Sequence, residues 1–425
     1  MSVPESHAAW ARIVGDVGVY TLAFALTNIA SYAYLVLIGR TISAGQFGVF
    51  NSLFGLISIL GVVATSVQVA VTKAGAARQS RRTFNLLLKR VWKGSLALSA
   101  LLLVLGVALG HLIGAAVGDI VIAVLVVLAM LVSSAVLGVL GALTLVRSQA
   151  IINFVGTMVR LSTGLLLLLN SVAASNALFG YVLNYVAVFL LAYICMSRRV
   201  PATEHTFDER WPCIRLAPGT VATVVLTYIP FTMDQIAVQS LVPQSGDAYA
   251  GLATVSKIVF YAGFPVLGVF YPKMVAERHE SQRQRLVAGA IGTVALLSSI
   301  ALVALATFPE QLIHILFGGR YREVVPYVPT LGLGIAFFSM SVLCTHALIA
   351  WNGRLTFLPS LIAVGVGSAF FAEHHSNIAQ VVQNMVVTYS IQVSLTLVLL
   401  WCAARQSRNR ARSTPVGSQT GAASH

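Results

Sequence analysis

The chain has 425 residues, of which 57% are hydrophobic and only 9% charged, against about 25% charged in an ordinary soluble domain. Its mean hydropathy of +0.86 excludes a water-soluble globule of this size. A formal charge of +14 would suit nucleic acid, but the placement of the basic residues points elsewhere.

Apolar runs of about 20 residues recur from end to end, each long enough to cross a bilayer at 1.5 Å per residue. They are continuously apolar rather than alternating, which excludes an outer-membrane barrel. After a polar start, the first run covers about 17–39; it is too long for a signal-peptide core, and no small-residue cleavage site follows. Further runs follow at about 47–72, 94–116, 120–146, 151–170, 177–196, 218–242, 249–271, 286–308, 326–350, 355–372 and 378–402, which makes twelve spans. The expected class is an all-α polytopic membrane protein.

Loops 73–93, 147–150, 197–217, 272–285 and 351–354, with both termini, hold 22 of the 27 Lys and Arg residues. The alternate loops hold only Arg40, Arg320 and Arg322, while Arg160 and Lys257 lie inside spans. This is the positive-inside pattern, so both termini are expected on the cytoplasmic side. Topology thus accounts for the charge, with anionic headgroups a secondary partner of the basic loops and no nucleic acid required. The four cysteines are far apart, and neither a disulfide nor a metal site is indicated. No loop is long enough to fold into a catalytic domain. Walker A, HExxH and paired Cys/His signatures are missing too, so no cofactor is expected.

The chain is written twice. At one ungapped offset of 200, residues 26–29 (LTNI) match 226–229 (LTYI), and Lys73, Ala76 and Arg78 match Lys273, Ala276 and Arg278. Six spans per half is an even number, so the two halves share one orientation, as in parallel-repeat transporters. The expected division is an N-terminal six-helix lobe over 1–200, a cytoplasmic linker over 201–217, a C-terminal six-helix lobe over 218–404 and a basic, disordered tail over 405–425. The outer segment 309–325 is expected to form a short interfacial helix ending at Gly318–Gly319.

Charges inside spans cost about 3 kcal/mol on insertion scales, so they mark candidate sites. Arg160 sits about ten residues into the fifth span, too deep to snorkel, with no acid within one helical turn. It faces a cavity and an anionic ligand, for which a guanidinium offers a bidentate fork, or it forms an interhelical pair. Asp234 and Lys257 flank the seventh-to-eighth hairpin turn at similar depth. Either they form a salt bridge, or Asp234 exchanges a proton or ion while Lys257 contacts an anion. Arg40 ends the first span, where it snorkels or meets a phosphate. Pro230 and Pro265 permit kinks in spans seven and eight. Polar residues such as Asn51, Tyr389 and Gln392 line a wet cavity or bond between helices.

GRTISAGQFGVFNSLFGLISILGVVA at 39–64 resembles the first loop and second helix of polysaccharide-biosynthesis flippases, within the multidrug/oligosaccharidyl-lipid/polysaccharide (MOP) exporter superfamily. GALTLVRSQAIINFVGTMVRLSTG at 141–164 is similar to their fourth-to-fifth helix connection. MDQIAVQSLVPQSGDAYAGLATVSKIVFYAGFPVLGVFYPKMV is similar to helices seven and eight, and ILFGGRYREVVPYVPTLGLG to the outer segment before helix ten. The resemblance implies two six-helix lobes around a central cavity, alternating access, and a polyprenyl-pyrophosphate-linked oligosaccharide as cargo. It implies substrate contacts at Arg160, Lys257 and Arg40, and coupling to H+ or Na+ at Asp234. It also implies a monomer in the bacterial cytoplasmic membrane, serving glycosyltransferases and a polymerase. Lipid II flippases have fourteen helices, whereas twelve are expected here. The competing readings are a cation-coupled drug exporter and, against the short loops, a membrane-embedded glycan transferase or ligase.

Overall fold

A computed structural model describes residues 4–43, 45–77, 81–170, 173–200, 218–277, 279–351 and 355–413. The expected linker over 201–217 lies outside the described residues. The helices run α1 (Pro4–Thr41), α2 (Gln46–Ala77), α3 (Arg81–Leu109), α4 (Val117–Ala142), α5 (Val146–Asn170) and α6 (Ala174–Arg199). They continue as α7 (Pro218–Tyr228), α8 (Pro230–Leu241), α9 (Gly246–Ser256), α10 (Ile258–Ala276) and α11 (Glu280–Thr307). The last are α12 (Pro309–Phe317), α13 (Val328–Ala350), α14 (Leu358–Glu373) and α15 (Ile378–Ser413).

The protein is an all-α polytopic membrane protein. Among the described residues eight helices are each long and apolar enough to cross a bilayer, and the bent pair α9–α10 makes a ninth span. The other expected spans coincide with α1, the broken pair α7–α8 and the shorter α14. Exposed side chains such as Leu169 (77%), Val104 (68%) and Ile29 (66%) are apolar, as lipid-facing positions must be.

The chain groups into two compact units. One comprises Met1–Val221 with Gln235–Gly251 and Leu316–Tyr321; the other comprises Ala222–Asp234, Leu252–Ile315 and Arg322–His425. The division differs from the sequence halves, because the tip of the α8–α9 hairpin and residues 316–321 join the N-terminal helices. Backbone bonding explains the difference. Asp247 accepts the Gly45 and Gly48 N–H groups, and Arg320 donates to the carbonyls of Gly39, Arg40 and Ile42.

In the first unit α4 is central and packs on α2, α3 and α6. Between helices in lipid there is no hydrophobic drive, so close approach of small residues takes over. A Cβ at Gly138 would come within 2.6 Å of the Gln68 carbonyl, and Thr72 Oγ1 donates across this contact to the Gly138 carbonyl at 3.0 Å. Val71, Phe84, Leu87, Val136 and Leu140 fill the layer beside it. In the second unit α13 plays the same part, packed on α10, α11 and α15, with Val294, Leu343, Cys344 and Ala347 in its core.

Two local expectations met different outcomes. The outer segment forms α12 and stops at Phe317, where Gly318 turns with φ +69°, a backbone region open to glycine. The tail differs: α15 stays helical to Ser413, past residue 405. Neither Pro nor Gly interrupts that stretch before Pro415. Residues 414–425 lie outside the described residues.

Candidate functional site

Arg160 occupies the middle of α5, which packs against α1 and α6. Its side chain is 6% exposed. One guanidinium nitrogen, Nη2, donates to Ser31 Oγ on α1 at 2.6 Å. The guanidinium carbon lies 4.4 Å from the Tyr181 ring centroid and 5.4 Å from that of Tyr34, within cation–π range. Tyr34 and Tyr181 meet edge to face at 5.6 Å. No carboxylate pairs with Arg160 among the described residues, and Nε is buried without an acceptor. Of five N–H donors, one is used.

The cradle follows from small residues. Tyr34 is fully buried, and its hydroxyl donates to the Ala177 carbonyl at 2.8 Å. A Cβ on Gly164 of α5 or on Gly180 of α6 would collide with that hydroxyl. These glycines therefore let α1, α5 and α6 close around the phenol. Sequence reading missed Ser31, Tyr34 and Tyr181, since an aromatic in an apolar span reads as packing. The available signal was a pair of tyrosines whose hydroxyls need partners inside hydrocarbon.

In the second unit, helix breaks position the charges. Pro230 has no N–H to give the Leu226 carbonyl, so α7 stops at Tyr228 and α8 restarts at Pro230. Across the break Thr232 N and Met233 N both donate to the Ile229 carbonyl, at 3.1 and 3.0 Å. Asp234 follows one turn later and is wholly buried. Lys257 sits between α9 and α10, whose axes bend by 42°. Its backbone bonds persist through the bend, from Lys257 N to the Ala253 carbonyl at 3.0 Å and from Tyr261 N to the Lys257 carbonyl at 3.1 Å. The eighth span thus bends at Lys257, while α10 runs through Pro265 unbroken. Aromatic rings pack beside the bend: Phe231 stacks on Phe338 with centroids 4.6 Å apart and lies tilted against Phe260 at 4.8 Å.

Lys257 is 7% exposed, and its Nζ lies 4.3 Å from the Phe231 centroid. Lys257 Nζ thus meets α8 at Phe231, three residues before Asp234, and the Tyr389 hydroxyl of α15 meets the same helix at the Pro230 carbonyl. Arg40 is elsewhere. It ends α1 and its Nε donates to the Leu316 carbonyl at 2.6 Å. Nine residues of helix separate it from Ser31, about 14 Å along the axis.

No family model and no curated protein matches the sequence. Solved membrane transporters nevertheless share the fold over nearly its whole length. An inward-facing multidrug resistance MATE family transporter of the MOP superfamily aligns with TM-score 0.70 at 12% identity, covering 91% of this chain and 96% of that one. The lipid II flippase MurJ in an inward closed conformation aligns with TM-score 0.69 at 12% identity, covering 93% of each chain. The MATE multidrug transporter DinF-BH aligns with TM-score 0.63 at 14% identity, over 90% of this chain and 95% of that one. At such identities the likeness is one of fold.

Proposed function

We propose that this protein is a MOP-type transporter that carries a polyprenyl-(pyro)phosphate-linked oligosaccharide from the inner to the outer leaflet by alternating access. The observation that carries the reading is Arg160, a mid-span guanidinium that donates to Ser31, buries its Nε without an acceptor and pairs with no acid among the described residues. Such a group costs free energy in hydrocarbon unless an anion completes it, and a phosphate matches its fork in two parallel bonds. Ser31 and the two tyrosine rings hold the planar head in place without reducing its charge. Lys257 is the second proposed phosphate contact. Asp234 is the proposed coupling group, because a buried carboxylate beside an ammonium gains or loses a proton or a monovalent cation as that ammonium engages its ligand.

The test is leaflet transfer of a fluorescent polyprenyl-pyrophosphate oligosaccharide in proteoliposomes. Losing charge-assisted hydrogen bonds worth about 1.5–3 kcal/mol predicts that R160A lowers apparent affinity about tenfold to a hundredfold. R160K keeps the charge without the fork and falls between. Transfer by R160A at the wild-type rate refutes the reading.

A cation-coupled multidrug exporter is the second reading. It is favoured by the aromatic walls of the Arg160 cradle and by a fold likeness to MATE transporters equal to that for the flippase. Extrusion of a cationic dye that survives R160A and fails with D234N supports it.

A further inference from the structure

The second unit contains a thread of buried polar side chains that neither charge needs for its position. Three segments contribute hydroxyl or amide groups spaced by four: Thr223 and Thr227 on α7, Thr356 in the turn before α14 with Ser360 in its first turn, and Thr388, Gln392 and Thr396 on α15. That spacing puts each set on one helix face. Thr227, Ser360, Thr388, Gln392 and Thr396 have no exposed surface at all.

The groups meet as rungs. Thr223 and Thr356 share a hydrogen bond of 3.0 Å, and Thr227 and Ser360 share another of 3.0 Å. Gln392 Nε2 donates to Ser360 Oγ at 3.2 Å and to the Thr227 carbonyl at 3.3 Å. Thr227 Oγ1 donates to the Thr223 carbonyl, so at the second rung Ser360 is the donor. One turn from Gln392 on α15, the Tyr389 hydroxyl donates to the Pro230 carbonyl at 3.1 Å, across the helix break that precedes Asp234. The Thr223–Thr356 rung is the one farther from Asp234 in sequence, and Asp234 follows Thr227 by seven residues, across the break at Pro230.

One atom in this thread is unexplained by packing. Gln392 Oε1 is buried without any hydrogen-bond donor, and a bare buried acceptor calls for a water or ion. Oxygens of Gln392, Thr227 and Ser360 supply the two to four partners that an internal water requires.

We propose that this hydroxyl and amide ladder, completed by water at Gln392, is the route by which protons reach and leave Asp234 from the Thr223–Thr356 end. In each transfer an incoming proton binds a hydroxyl or water oxygen as that oxygen releases its own hydrogen to the next hydroxyl or water, while the Gln392 amide oxygen holds the water and passes no hydrogen itself. Covalent bonds are thereby exchanged one for one, and the net product is the neutral Asp234 carboxyl. Lys257, whose Nζ lies over the Phe231 ring, and Tyr389, whose hydroxyl donates to the Pro230 carbonyl, are titratable groups placed on the same stretch of α8. The inference rests on the coupling role given to Asp234 above and adds that its ion is H+.

The experiment is a pH jump on the full-length protein in nanodiscs, following the carboxylic C=O infrared band that D234N removes. T227V with S360A deletes the middle rung at nearly constant volume, and T227S restores a hydroxyl. Band appearance is expected to slow at least about tenfold in T227V/S360A, a barrier rise of about 1.4 kcal/mol. The final amplitude and melting temperature should stay close to wild type, and T227S should recover the rate. An unchanged rate in T227V/S360A with the D234N control intact overturns the ladder and leaves the coupling role standing. A band that survives D234N overturns both. A slowed rate matched by an equal loss in T227S assigns the ladder to interhelical bonding alone and also overturns it.

Discussion

Asp247 serves the N-termini of two helices at once. It lies in the first turn of α9, and its carboxylate accepts the N–H groups of Gly45 and Gly48, the latter at 2.7 Å. Gly45 precedes α2 and Gly48 is the third residue of that helix, so neither N–H has an acceptor within α2. Gly48 is buried and Gly45 is exposed. Replacing Asp247 by Ala therefore strands one buried donor, at about 1–3 kcal/mol, while Gly45 turns to water at little cost. Loss of the negative charge beside the helix terminus adds about 0.5 kcal/mol. The total for D247A is about 2 kcal/mol, and D247N, which keeps one amide oxygen, should lose about half. In a unit of this size each kcal/mol lowers Tm by about 2–4 °C. Thermal unfolding by intrinsic fluorescence in detergent should thus show D247A melting about 4–8 °C early. Hydrogen exchange at the Gly48 amide should accelerate with it. A D247A protein that melts with wild type and keeps the Gly48 amide protected refutes the bridging-cap reading.

The other predictions concern single contacts. Tyr34→Phe removes the bond to the Ala177 carbonyl and should cost about 1 kcal/mol, read as a lower Tm with the fold intact. Gly164→Ala drives a methyl into the Tyr34 hydroxyl; overpacking of about 1–3 kcal/mol should cost more than Y34F, and the double variant should recover part of the loss. Arg320→Ala removes the donor shared by three carbonyls at the end of α1. A loss of about 1 kcal/mol is expected, smaller in R320K, as measured by thermal unfolding.

What the sequence made legible follows from which forces act over short range. Span positions came through because twenty consecutive apolar residues are needed to cross hydrocarbon, and α2, α4, α6 and α13 answer to their expected ranges within a few residues. The burial of Asp234 and Lys257 came through for a similar reason, since each lies deep within an apolar run. The bend at Lys257 did not. Pro265 was the local signal for it, yet α10 runs through Pro265 unbroken and the bend falls eight residues earlier, at Lys257. Membership of residues 235–251 in the first unit was equally hidden. Asp247 and Gln239 read as ordinary loop and span residues until Gly45 and Gly48 come close to them.

The repeat offers a sharper account of the two cations than either half alone. At the offset of 200, Ser31 and Tyr34 of α1 correspond to Phe231 and Asp234 of the α7–α8 pair. Those are the positions at which each unit receives its buried cation. Arg160 is held by Ser31 and Tyr34, and Lys257 by the Phe231 ring, three residues before Asp234. Thr27 and Thr227 keep the same back-bond four residues earlier in both copies. The helix register is thus shared, while the cation arrives from different elements, α5 in one unit and the α9–α10 bend in the other. The two copies differ at this step: among the described residues no carboxylate pairs with Arg160 beside Tyr34, whereas the matching position of the second copy is Asp234. An anionic head group gains more from the first, where no carboxylate must be displaced. A proton or cation exchanges more readily at the second, where a carboxylate already stands. Under the proposed assignment of cargo to Arg160 and coupling to Asp234, Y34D, which places the second copy's aspartate in the first frame, should convert the first cradle toward the second. If anion affinity at Arg160 is untouched by that added carboxylate, the division of labour between the two cradles is wrong.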